Sequence, residues 1–156
     1  MKFLQVFESF FDYLNKNLPQ SYQVIIGLNK LLIQFFTEKN EEELMSLICE
    51  NFKLVAAVLN REDLGRNILR PILSFSTEDY EEEERVLSRC LAANLFCDLA
   101  GVFGQEYCEH YIIPQLFFLS DDPKANVRKA VIQNLSKVSE QVSFSFFGKV
   151  LTIYQK

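Results

Sequence analysis

At 156 residues, 49% hydrophobic and 24% charged, the chain is long enough for one domain that buries roughly 70% of the surface its unfolded form would expose. Five glycines and four prolines are too few for the closely spaced turns of a β-sandwich or barrel, so long helices are expected. A net charge of -5 without a concentrated Lys/Arg cluster argues against DNA or RNA as the main partner.

In chain order, Phe3, Leu4, Phe7, Phe10, Phe11 and Leu14 recur at steps of three and four and predict an amphipathic helix. The Met1-Lys2-Phe3-Leu4 start hints at a signal peptide, but Glu8 and Asp12 interrupt any apolar run and no small-residue cleavage site follows. After Leu18-Pro19, apolar residues from Gln20 to Phe36 cover nearly the whole helix circumference, broken mainly by Gln23, Asn29, Lys30 and Gln34, as expected of a helix covered on several sides. Lys30 splits that stretch and no uncharged apolar window approaches a bilayer's span, so a membrane-crossing helix is not expected. The expectation is a soluble, intracellular protein of the cytoplasm, with the nucleus also open.

A third helix is predicted from about Glu41 to Leu59, with Leu44, Leu47, Ile48, Phe52, Val55 and Leu59 inward and Glu41 to Glu43 at its positive end. A turn over Asn60 to Gly65 leads to a short helix, Arg66 to Phe75, carrying Ile68, Leu69, Ile72 and Leu73. The next helix, Asp79 to Val102, opens on the glutamates at 81 to 84 and closes at Gly101 and Gly104, residues suited to left-handed C-terminal geometry. A helix over Gln105 to Leu119 ends in Ser120-Asp121-Asp122-Pro123, where Asp122 can cap and Pro123 can open the following helix. Val127, Ala130, Val131, Leu135, Val138 and Val142 mark the buried stripe of that helix, and Phe144 to Tyr154 form an eighth.

Cys49, Cys90, Cys97 and Cys108 show no CxxC spacing and sit among apolar neighbours, so reduced, buried thiols are expected. Cys108 and His110 lie two residues apart on one helix, about 200° around it, and no second Cys/His cluster completes a metal site. The glutamates at 81 to 84 lack a calcium-loop pattern, and Gly101-Val102-Phe103-Gly104 lacks the phosphate-loop pattern and follows a helix. No catalytic residue, cofactor site or metal site is therefore assigned.

The chain repeats. At an offset of 43, VAAVLNREDLGRNILRPIL (55–73) falls on DLAGVFGQEYCEHYIIPQL (98–116), matching Ala57 with Ala100, Pro71 with Pro114 and Leu73 with Leu116. At an offset of 40, Asn94-Leu95 falls on Asn134-Leu135. The expected architecture is all-α: one domain over 1–156, an α-solenoid of antiparallel helix pairs with about eight helices, in pairs at 1–40, 41–75, 79–120 and 123–156.

The segment IIPQLFFLSDDPKANVRKAVIQNLSKV (112–138), with a proline in its first helix, an Asp-Asp-Pro turn and Val-Arg before a small residue, resembles a HEAT repeat. The order of features from Leu54 to Val142, with Ala-Gly-Val-Phe-Gly and then Ile-Ile-Pro, further resembles the HEAT arrays of protein phosphatase 2A-family regulators, such as the phosphatase 2A scaffold and regulatory subunit 1 of protein phosphatase 4. That resemblance implies a non-enzymatic scaffold holding a phosphatase catalytic or targeting subunit. It also implies a polar ladder between repeats from Asp121 or Asp122 and Arg128, interrupted where Ser88 replaces the arginine.

Two surfaces are candidates for partners. The second helix of each pair would line a concave side, where Lys124, Arg128, Lys129, Gln133 and Lys137 form the most basic patch and suit an acidic segment. On the last helix, Phe144, Phe147, Leu151 and Tyr154 form one stripe while Phe146, Val150 and Ile153 point elsewhere, so one neighbour cannot cover both. That apolar end is expected to pack on further repeats or another subunit. The alternative is a structural subunit of a large multiprotein assembly, without a phosphatase.

Overall fold

The computed structural model describes residues 22–39, 42–77 and 85–155, with Ser9 and Tyr13 before them. These form seven helices and no strand: α1 (Tyr22–Lys39), α2 (Glu42–Val58), α3 (61–76), α4 (Val86–Asp98), α5 (Ala100–Leu119), α6 (Ala125–Ser139) and α7 (Phe144–Tyr154). Of the expected helix over Phe3 to Leu14, which would make eight, only Ser9 and Tyr13 are described, and the glutamates at 81 to 84 lie outside the described residues.

Odd-numbered helices touch in succession, α1 to α3 to α5 to α7, and so do α2, α4 and α6. One continuous apolar core runs between the two rows, from Ile48 to Ile153. Helix α4 is at its centre: Leu91, Ala92, Ala93, Leu95, Phe96 and Cys97 are all buried, and the alanines leave room for α6 to pack along it.

Several boundaries differ from the sequence reading, each for a local reason. The turn after α2 is short, because Asn60 in extended conformation accepts the Asp63 amide at 2.9 Å and starts α3 at Arg61 instead of near Arg66. Helix α4 stops at Asp98, not Val102: Leu99 (φ -96, ψ 2) turns the chain by 80° into α5. Gly101 is helical, whereas Gly104 alone has positive φ (72, with ψ 178), which separates the first turn of α5 from its main body.

Pro71 and Pro114 lie inside helices, where a proline ring clashes with the carbonyl four residues earlier and offers no N–H to it. Both are preceded by a single π-helical turn, Gly65–Leu69 and Cys108–Ile112, closed by Arg70 N–H to Gly65 O and Ile113 N–H to Cys108 O. The wider turn makes space for the ring. The two π turns stand 43 residues apart, the register of the sequence repeat.

Helix α1 is less enclosed than its composition suggests. Ile26 and Asn29 are buried, but Val24 and Leu31 are 49% and 62% exposed. The inward residues of α2 that are described, Ile48, Phe52 and Val55, are buried as expected, as are Val127, Ala130, Val131, Leu135 and Val138 of α6.

Candidate protein-binding surfaces

The basic residues of α6 do not form one free patch. Arg128 turns back to donate to the carbonyls of Asp122 (2.7 Å) and Pro123 (3.0 Å), and Lys137 bonds Asp98 on α4. Lys129 and Gln133 remain exposed. Asp98 also meets Lys53 of α2 at 3.1 Å, so Lys53, Asp98 and Lys137 tie the three even helices together. Burial works to raise the Asp98 pKa, but the hydrogen bonds from Lys137 and Lys53 prevail and hold it below the usual carboxylate range. Burial works to lower Lys53, and the bonds to Asp98 and Glu50 outweigh it and raise its pKa.

The turn aspartate is used differently from the expected ladder. Asp122 is buried and pairs with Arg89 of α4, Nε to Oδ2 at 2.6 Å, both side chains 0% exposed. The arginine comes one residue after Ser88, so Arg89 pairs with the Asp122 side chain, and Arg128 reaches only the backbone carbonyls of Asp122 and Pro123. Asp122 is no helix cap either: its Oδ1 accepts the Lys124 amide at 2.8 Å in a local turn, and α6 begins at Ala125 rather than at Pro123.

At the other end of the core, buried amides replace charges. Asn51 Nδ2 donates to Asn29 Oδ1 (2.9 Å), and Asn29 Nδ2 donates to the carbonyl of Asn67 (3.1 Å). That carbonyl is four residues before Pro71, so the Asn29 side chain supplies the donor that the proline lacks.

On α7 the two sets of apolar residues separate. Val150 and Ile153 are buried in the chain's own core, so these two are not available as an outer face, while Phe146 is half-buried. Phe144, Phe147, Leu151 and Tyr154 are exposed, Phe144 by 94%. The accessible apolar residues of α7 are thereby this stripe, which includes Leu151, and the uncovered part of Phe146.

Two grooves lie between successive odd helices. The first, about 370 Å³ between α3 and α5, presents Arg66 and Arg70 beside Leu69, Leu73, Tyr107 and Tyr111. Its helices approach closely, since a Cβ on Gly65 would sit 3.0 Å from the Tyr107 hydroxyl, which itself donates to Arg61 O at 3.2 Å. The second, about 460 Å³ between α5 and α7, is lined by Ile113, Pro114, Phe117 and Phe146, with Glu109 and Lys149 at its edge. Glu109 accepts the Ser143 amide at 2.7 Å and the Gln105 side-chain amide at 3.0 Å, and the Ser143 bonds hold its pKa below the usual range. Sequence reasoning missed these grooves because each helix supplies only half of one, although Arg66 and Arg70 at four-residue spacing were visible.

The thiols are unpaired, and burial pushes Cys49 and Cys97 up to about 12 and Cys108 to about 11. Cys108 is buried against Ala100 O, while His110 is exposed and its Nδ1 lies 2.9 Å from Glu106 O, so the two side chains face apart. No described helix is by itself long and apolar enough to cross a membrane. The sequence matches no protein-family model and no curated protein.

Proposed function

We propose that the chain is a HEAT-type α-solenoid whose function is to hold protein partners, as a scaffold or regulatory subunit without catalytic activity of its own, in the cytoplasm or nucleus. The recurrence of the same π turn and proline at 43-residue spacing supports this reading, because it makes α3 and α5 copies of one unit set side by side. A two-helix unit cannot bury its apolar face alone, and stacking such units leaves extended surfaces for partners. The resemblance of 112–138 and 54–142 to phosphatase 2A-family regulators makes a phosphatase catalytic or targeting subunit the favoured partner. Affinity purification from native extract with mass spectrometry tests it: a co-purifying phosphatase catalytic subunit supports the reading, and its consistent absence removes the phosphatase element.

The exposed stripe on α7 favours a second reading, a structural subunit packed end-on within a larger assembly. A stable large complex without a phosphatase, lost on Phe144→Ser/Leu151→Ser, supports that alternative. A monomer that co-purifies with nothing contradicts both.

A further inference from the structure

The two grooves flanking α5 are successive copies of one groove with different chemistry. Arg66 and Arg70 stand 43 residues before Glu109 and Ile113, so equivalent helix positions carry guanidinium groups in the first groove and a carboxylate and an alkyl chain in the second. In the first, Arg66 shares its charge with Glu62 at 2.7 Å, and Arg70 is exposed and makes no hydrogen bond or ion pair among the described residues. Its floor is apolar, formed by Leu69 and Leu73. In the second, Glu109 is occupied by Ser143 and Gln105 and asks nothing of a ligand, while Ile113, Phe117 and Phe146 leave an open apolar cleft of about 460 Å³. Among its described lining residues the one cation, Lys149, lies 4.2 Å over the Phe146 ring. In a chain of net charge -5, arginines directed into a groove mark where an acidic group is accepted.

We propose that one extended segment of a partner protein crosses α5 on the side of the odd-numbered helices, with an acidic side chain at Arg66 and Arg70 and a bulky apolar side chain in the α5–α7 cleft. The segment is recognised by charge at one site and by shape at the other. Packed helices lie about 8–10 Å apart, and an extended chain advances about 3.3 Å per residue. The acidic and apolar positions are therefore about three residues apart. The inference rests on the scaffold reading and specifies what the scaffold grips.

The test is fluorescence polarisation of the full chain with a labelled peptide in which a glutamate pair, a two-serine spacer and a phenylalanine follow in that order. Two controls accompany it, one with the glutamates moved next to the phenylalanine and one with lysines in their place. The spaced peptide is expected to bind best. Arg70→Glu should weaken it about tenfold or more, and Thr152→Trp, which fills the cleft from an exposed position of α7, should weaken it while leaving the far-ultraviolet circular dichroism unchanged. Equal binding of the reordered peptide, no effect of either substitution, or Arg70-dependent binding of phosphatidylserine vesicles without peptide binding overturns the proposal. If proteins co-purifying with the wild type stay on the Arg70→Glu/Thr152→Trp chain, the scaffold reading survives and the groove assignment fails.

Discussion

Helices α3 and α5 meet the same difficulty, a proline inside a helix, with the same π turn, but the residue four positions before the proline is buried in α3 and exposed in α5. Asn67 O lies under α1 and takes its hydrogen bond from Asn29, whereas the equivalent residue of α5, His110, is exposed and its carbonyl can be served by water. The helices are also joined by different means at the two ends. Buried amides fasten α1, α2 and α3, and the Arg89–Asp122 pair fastens α4 to the α5–α6 turn. The local solution to a proline is set by the sequence repeat, while the polar group that completes it depends on which neighbour covers that copy.

Removing one member of the ion pair should give the largest effect. Arg89→Met leaves the buried Asp122 carboxylate without its cation and should cost about 3–5 kcal/mol in urea unfolding, and Asp122→Ala, which takes one carboxylate from Arg89, should destabilise as well. The double variant Arg89→Met/Asp122→Leu should recover much of that loss; a double variant as unstable as the worse single one would mean that the pair does more than cancel itself.

Next comes the buried amide. Asn29→Ala should cost about 1–3 kcal/mol by leaving Asn67 O without a donor. The loss should shrink in a Pro71→Ala background, where residue 71 regains its N–H. Equal losses in both backgrounds would break the proposed link between Asn29 and the proline.

Glycines separate the two junctions further. Gly104→Ala forces φ 72, ψ 178 on a residue with a Cβ and should cost about 1–3 kcal/mol, whereas Gly101→Ala, in helical conformation with open space around it, should stabilise by up to about 1 kcal/mol. Thermal unfolding should show shifts of opposite sign.

The smallest effect concerns Asp98, whose surface ion pairs are each worth about 1 kcal/mol or less. Its carboxyl is held below its ordinary 3.8, so its contribution is present at pH values above that and is lost as pH falls through the depressed value. Lys53 is raised above 10.5, so its contribution is present below that and is lost as pH rises through the raised value. Asp98→Asn should therefore reduce stability at neutral pH, and the difference from wild type should vanish at acidic pH in parallel urea titrations.

The buried stripe of α6 and the apolar positions of α3 were legible in the sequence because a helix repeats its face at fixed steps. The division of α7 into two apolar sets was legible for the same reason, but not which set is covered, because Val150 and Ile153 were assigned to the outer face and are buried. Hydrogen-bond partners were not. Arg89 follows Ser88 by one residue, which turns it about 100° around the helix and toward the Asp122 turn. Asn29 reads as a polar break in an apolar helix until Asn67 and Asn51 are known to face it. Arg128 and Lys137 look free in the sequence because their acceptors, the Asp122 carbonyl and Asp98, are supplied by the fold.

A crystal structure that resolves the backbone carbonyls tests the helix-pair repeat most directly, through superposition of 65–76 on 108–119. The two segments should coincide, each with an i to i+5 hydrogen bond ahead of its proline and with α3 beside α5. Segments of unlike conformation, or α3 and α5 apart from one another, would contradict it.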